Sequence, residues 1–343
     1  MTAPEPHQVV EPHPVAEPYA VVVPTIGRPC LSDCLRALAT TAGPPPAEVV
    51  VVDDRPAPDG ELPLEAAGEL RPRTRVLATG GRGPAAARNT GLRAVAAPWV
   101  VFLDDDVQVL PDWGAELAAD LAAADARTGG VQGRLTVPLP TDRRPTDWER
   151  GTAGLETAAW ATADMAYRAL ALKEAGGFDE RFRRAFREDA DLALRVMAAG
   201  WTLVRGRRVT RHPVRPADRW ASLRAQRGNA DDVLMNRLHG ADWWGRARAP
   251  RGRLPAHLAV TGLALAATAL AACGRRRAAG LAGALWALGT AEFAHARIAP
   301  GPRTRQEVVT MALTSAAIPP LAVRHWLTGQ VTHRAARPLG RTR

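Results

Sequence analysis

The stretch 99-WVVFLDDDVQVLPDW-113 sets the reading of this sequence. Its opening, Trp99 to Leu103, is a continuous apolar run of strand length, the pattern of a strand buried on both faces. Three adjacent carboxylates follow, Asp104, Asp105 and Asp106. Neighbouring negative charges repel one another at neutral pH and packing does not require them, so the cluster points to a positive partner. Its oxygen donors suit a hard divalent cation, Mg2+ or Mn2+, which completes its shell with water and substrate phosphates. A solvated turn or helix start is the plainer alternative, and it accounts for Asp112 better than for the triple Asp.

Working outward, Tyr19–Pro24 (YAVVVP) and Glu48–Asp53 (EVVVVD) repeat the buried-strand pattern. Between them CLSDCLRALATTAG has helical spacing and stops at Gly43 and three prolines. Thr74–Ala78 is a weaker strand, and Pro84–Ala96 reads as a helix. This alternation predicts an α/β fold, a mainly parallel sheet with flanking helices, whose ligand site lies beyond the carboxyl ends of the strands. Asp53 and the Asp104–Asp106 cluster both fall at such ends. No GxxxxGK[ST] sequence is present, and GGRG at Gly80–Gly83 reads as a link from strand to helix.

The formal charge of +10 hides two unlike halves. Residues 1–200 carry 21 Lys and Arg against 29 Asp and Glu (−8), whereas residues 201–343 carry 24 against 6 (+18). The first is the balance of an ordinary acidic enzyme domain. The second faces an anionic partner, and because its basic residues border apolar stretches, a membrane surface fits better than nucleic acid. Trp220, Leu223, Ala230, Leu234 and Leu238 can share one helical face ringed by arginines, the make-up of an interfacial amphipathic helix. Leu254–Cys273 then runs for twenty residues without a charged side chain, long enough to span a bilayer. Further apolar stretches follow near 278–291 and 308–323, the last interrupted by Pro319-Pro320. A buried helical subdomain is the alternative to membrane contact. The division expected is a disordered Pro-rich leader over 1–18, without the features of a signal peptide, an enzyme domain over 19–215, a basic amphipathic segment over 216–250 and an apolar helical region over 251–343. The three cysteines show no metal spacing and read as reduced thiols of a cytosolic compartment.

Six blocks in order carry a resemblance: VVVPTIGRP (21–29), VVVVDDRP (49–56), GPAAARNTGL (83–92), WVVFLDDDVQVLPDW (99–113), GGFDERF (176–182) and REDADLALRVMAAG (187–200). Each alone is unspecific, but as an ordered set they resemble the family 2 glycosyltransferases of GT-A fold over roughly residues 18–215. The resemblance implies an inverting, metal-dependent transfer from a nucleotide-diphosphate sugar to a hydroxyl of a cell-envelope glycan or lipid-linked acceptor, on the cytoplasmic membrane face. It places Asp104 and Asp106 on the metal and the donor, with Asp105 between them on the donor. It places Pro24, Thr25 and Arg28 in the nucleotide-facing loop and Asp53 on the nucleotide base. Arg88 becomes a donor-side cation, against the alternative of a plain charge on a helix surface. Asp189 becomes the general base beside Glu188, where a helix-start acidic pair is the alternative. His212 completes the metal shell, and Asp191 is structural. Gly27 departs from the larger polar residue of many members, and residues 138–160 match nothing. A sugar-phosphate nucleotidyltransferase is a second reading, though PTIGRP lacks the lysine it needs. A membrane-anchored scaffold without turnover is a third.

Overall fold

The computed structural model describes residues 17–338, so the leader expected over 1–18 lies, but for its last two residues, outside the described chain. The elements β1 (Tyr19–Thr25), α1 (Leu31–Thr40), β2 (Glu48–Asp53), β3 (Thr74–Ala78), α2 (Pro84–Ala94) and β4 (Trp99–Leu103) form the expected alternation. After them come β5 (Gln108–Val109), α3 (Trp113–Ala122), β6 (Thr128–Thr136), α4 (Asp147–Ala153) and β7 (Asp164–Arg168). Helices α5 (Ala169–Ala175) and α6 (Glu188–Ala198) and strand β8 (Thr202–Arg211) complete one eight-stranded sheet, ordered β3-β2-β1-β4-β7-β6-β8-β5. β3, β2, β1 and β4 are parallel, and the sheet turns antiparallel at β4–β7.

Successive valines explain the parallel half. Val21, Val23, Val49 and Val51 meet Leu31, Leu35 and Leu38 of α1 and Trp113 and Leu117 of α3 on one face. Val22, Val50, Val52 and Phe102 meet Ala85 and Ala87 of α2 and Leu192 and Val196 of α6 on the other. Strands covered on both sides leave no position for a polar residue, which is why the sequence shows runs and not alternation. α2 lies close enough that a Cβ on Gly91 would meet Val22 at 2.3 Å, so this helix requires glycine there.

The other half, in which β6 and β8 are parallel and the remaining pairs antiparallel, is pinned by one buried cation. Arg208 on β8, wholly buried, donates to Asp164 (2.9 Å), Asp120 (3.0 Å) and the Val131 carbonyl (2.8 Å). Trp113 and Thr210 also donate to Asp164, at 2.8 and 2.6 Å, so both of its oxygens are used.

Beyond the sheet lie α7 (Ala221–Ala225), α8 (Gly228–His239), α9 (Trp243–Arg246), α10 (Leu254–Ala272), α11 (Arg276–Ile298) and α12 (Arg305–Thr332). Here two expectations are corrected. The amphipathic helix read over 217–238 is two helices, and the apolar face of the second is covered by protein: Leu234, Met235 and Leu238 are buried against Phe182, Ala190 and Leu194, while Trp220 before the first is exposed. Pro319 and Pro320 do not interrupt the last apolar stretch, because α12 runs through both. Each proline removes one helical donor, but Thr314, Ser315, Ile318, Pro319 and Ala322 are buried and hold that side of the helix in place. α10 is long and apolar enough to cross a membrane, and only 6% of it is buried. The alternative of a buried helical core therefore does not describe α10.

Arg208→Met leaves Asp164 and Asp120 buried without their counter-charge. Removing one partner of such a pair costs about 3–5 kcal/mol, so the thermal midpoint of the variant should fall sharply. A variant melting with wild type would show that the network contributes little.

Candidate active site

β1 pairs with β2 on one side and with β4 on the other, so the chain leaves these neighbours in opposite directions and opens a crevice at their carboxyl ends. A cavity of about 640 Å3 lies there, walled by Pro24, Thr25, Arg28, Asp54, Arg88 and Asp104–Asp106, with Trp148, Phe186, His212 and Arg215 closing it.

The triple carboxylate has three positive partners from within the chain, where the sequence suggested only a bound cation. Arg88 donates to Asp104 at 2.7 Å, Arg28 to Asp105 at 2.8 Å, and the Arg215 Nε lies 2.8 Å from Asp106. The other Asp105 oxygen accepts from Thr25 Oγ1 at 2.6 Å, leaving Asp105 buried and fully engaged. Arg88 is 2% exposed, which excludes the helix-surface alternative, and its second nitrogen reaches Glu188 at 2.9 Å. The buried guanidinium stays cationic between two carboxylates. Arg215 was not found from the sequence: in a region so rich in arginine, one more three residues after His212 carries no signal.

Asp104, Asp106 and His212 offer two carboxylate oxygens and one imidazole nitrogen, all within 4.8 Å of one another. His212 Nδ1 lies 3.3 Å from the Pro213 carbonyl; donation there would leave Nε2, 3.7 Å from Asp106, with a free lone pair. Such an oxygen-rich set with one nitrogen fits Mn2+ well and Mg2+ acceptably. Burial raises the Asp106 pKa, with Asp104 adding to it and His212 and Arg215 opposing.

The other expected residues are placed less directly. Asp53 stands at the end of β2, but its carboxylate is clamped by Arg55 at 2.7 Å and held below the usual carboxylate range by that bond; it does not line the cavity. Its neighbour Asp54 does, and it accepts from Thr79 Oγ1 (2.6 Å) and from the amides of Arg82 and Gly83 (both 2.8 Å), fixing the GGRG loop. Glu188, buried, and Asp189, partly exposed, begin α6 just after Ala185 and Phe186, which line the cavity. Burial raises both pKa values, and Arg88 opposes this in each. For Glu188 burial outweighs the ion pair, and the neighbouring Asp189 adds to the rise. Arg187, just before them, adopts a left-handed φ of 76°, secured by an ion pair to Asp232 at 2.8 Å and by the faces of Trp243 and Trp244. Asp191 is structural, bound to Arg195 and His239.

Residues 20–187 match the model of the glycosyl transferase family 2. The sheet domain belongs to this family. Among curated proteins, the chain is 30% identical over 132 residues to the pre-mycofactocin glycosyltransferase of Mycobacterium tuberculosis, in two strains. That match spans 35% of this chain and only 27% of the relative's length. Among solved structures, the mannosyltransferase PcManGT from Pyrobaculum calidifontis, in complex with GDP-Man and Mn2+, superposes with a TM-score of 0.52 at 20% identity. The alignment covers 93% of this chain and 91% of that one, a likeness of fold that includes the C-terminal helices.

Arg215 Nε lies against Asp106 Oδ2 while His212 Nε2 faces Oδ1, so a cation at Asp104, Asp106 and His212 competes with Arg215 for the charge of Asp106. Arg215→Ala should therefore bind Mn2+ more tightly than wild type without nucleotide, as measured by electron paramagnetic resonance titration. Weaker or unchanged binding would show that Arg215 and the cation do not compete.

Proposed function

We propose that this domain transfers a sugar from a nucleotide-diphosphate sugar to a hydroxyl of a cell-envelope glycan or lipid-linked acceptor, with inversion at the anomeric carbon. The observation that carries the reading is the grouping of Asp104, Asp106 and His212 at the crevice between β1 and β4, inside a family 2 domain. Mg2+ or Mn2+ bound there supplies neutralisation of the charge that develops on the departing diphosphate.

The protein groups do the rest. Thr25 and Arg28 lock Asp105 and so fix the β1 loop that presents Pro24, Thr25 and Arg28 to the donor. Arg88 fixes Asp104 on one side and Glu188 on the other. Asp53 reaches a nucleotide base only once Arg55 releases it. Asp189 takes the proton of the acceptor hydroxyl, an otherwise poor nucleophile, and Glu188 orients the pair; a base placed this way is worth about 10²–10⁴ in rate.

We place the enzyme at the cytoplasmic membrane face through α10 to α12. Leu265, Leu281 and Leu288 are each about two-thirds exposed there, and Arg275–Arg277 sit at the turn between α10 and α11, where anionic headgroups would meet them. Sedimentation with anionic vesicles tests this, and recovery in the supernatant at low salt would contradict it.

Asp189→Asn keeps shape and removes the proton acceptor, so transfer should fall by roughly 10²-fold or more while donor affinity stays near wild type. Glu188→Gln should cost less. A carboxylate with a raised pKa is lost as a base when the pH falls through that raised value. The acid limb of the kcat profile should thus lie above the ordinary carboxylate range, and Arg88→Gln should move it higher still. Full activity in Asp189→Asn, or retention of anomeric configuration, would assign the base elsewhere.

A further inference from the structure

A second cavity, of about 800 Å3, adjoins the first and shares Trp148, Gly151 and Arg215 with it. Its walls come from α4, the segment 214–226, and helices α11 and α12, so much of it lies outside the stretch matched by the family model. The walls are held in register by buried polar contacts. Arg297, 7% exposed, pairs with Asp147 at 2.8 Å and donates to Thr314 and Ser315, and Glu307 accepts from the Asp147 amide at 2.9 Å.

Most charges around this cavity are already paired. Arg215 pairs with Asp106, Arg297 with Asp147, Asp218 with Arg224 and Glu149 with Arg143. The groups left for a ligand are mainly neutral. Ser222 Oγ is shielded from solvent and has no hydrogen-bond partner, and among the described residues the side chains of Gln306 and Thr310 make no hydrogen bond. Trp148, whose Nε1 is spent on the Arg215 carbonyl at 2.9 Å, adds an exposed indole, and Phe293 and Met311 add apolar surface. Hydroxyl and amide groups beside aromatic surface match a neutral polyhydroxylated ring, with one polar edge and one apolar face. Among the described arginines lining the cavity only Arg219, stacked on Trp220, lacks a carboxylate partner, so a diphosphate would find one free cation here.

We propose that this second cavity is the acceptor subsite and binds a saccharide unit, whose hydroxyl reaches the donor past Trp148 and Arg215. The assignment rests on the reading of the first cavity as the donor site. It makes the C-terminal helices part of substrate recognition as well as of membrane attachment.

The test uses the full chain in a sugar-free detergent with Mn2+ and either UDP or GDP. The probes are the methyl glycosides of glucose, galactose, mannose and N-acetylglucosamine, observed by saturation-transfer difference NMR. Ser222→Trp and Thr310→Trp each fill the cavity from a different helix, so that one misfolded variant does not decide the result. At least one glycoside should give a signal with wild type that is lost in the variants, while thermal stabilisation by nucleotide and Mn2+ is unchanged. No glycoside signal with wild type, or a signal that persists in either folded variant, overturns the subsite. Absence of nucleotide stabilisation in wild type overturns the donor reading, and the acceptor role with it; the silent arm tells the two failures apart.

Discussion

Three consecutive carboxylates at the end of β4 are each held by an arginine from a different part of the chain. Arg88 comes from α2, Arg28 from the loop after β1, and Arg215 from the segment after β8. Without those partners the burial of Asp105 and Asp106 would set unpaired like charges side by side, an arrangement a protein interior does not tolerate. The cluster is therefore also a junction, where the β1 loop, α2, α6 through Glu188, and the start of the C-terminal region all meet. The arginines differ in how firmly they are held. Arg88 is buried between two acids, whereas Arg215 is 43% exposed and bound through a single ion pair with Asp106. Arg28, also bound through a single ion pair, is 36% exposed, so if one of the three gives way to a cation, exposure and its place on Asp106 select Arg215.

That choice links the two cavities. Arg215 and Trp148 stand in the wall common to both, and the Arg215 carbonyl anchors the indole. A change at Asp106 is thereby felt on the side where an acceptor would enter. The helices that close the second cavity are tied to the sheet domain through Arg297 and Asp147, a contact 150 residues apart in sequence. Bridging so distant a pair with a largely buried, hydrogen-bonded charge fixes one relative placement of α4 and α11 more than it adds stability.

The parallel half of the sheet was legible because its strands are covered on both faces and leave unbroken valine runs. The mixed half beyond β4 was not. β5 is two residues long, β6 carries Gly129, Gly130 and Gly133, and β7 has a charge at each end, so none shows the run or the alternation that identifies a strand. In the site, the acids were legible as a cluster and His212 only through the family resemblance. Their cationic partners were not, since an arginine in a chain with 45 Lys and Arg carries little information until its contacts are known. Nor could spacing tell Asp53, turned onto Arg55, from Asp54, turned onto the GGRG loop, because adjacent residues after a strand end diverge by local turn geometry. The amphipathic pattern over 217–238 was real, but its apolar face had a partner in α6 that only the tertiary structure reveals.

Crystals grown with Mn2+ and UDP or GDP, with the metal located by its anomalous scattering, test the central claim most directly. The account predicts a peak among Asp104, Asp106 and His212, with the diphosphate on its open side and the Arg215 side chain withdrawn from Asp106. Nucleotide bound with the Arg215–Asp106 pair intact, or a manganese peak away from these three residues, would contradict it.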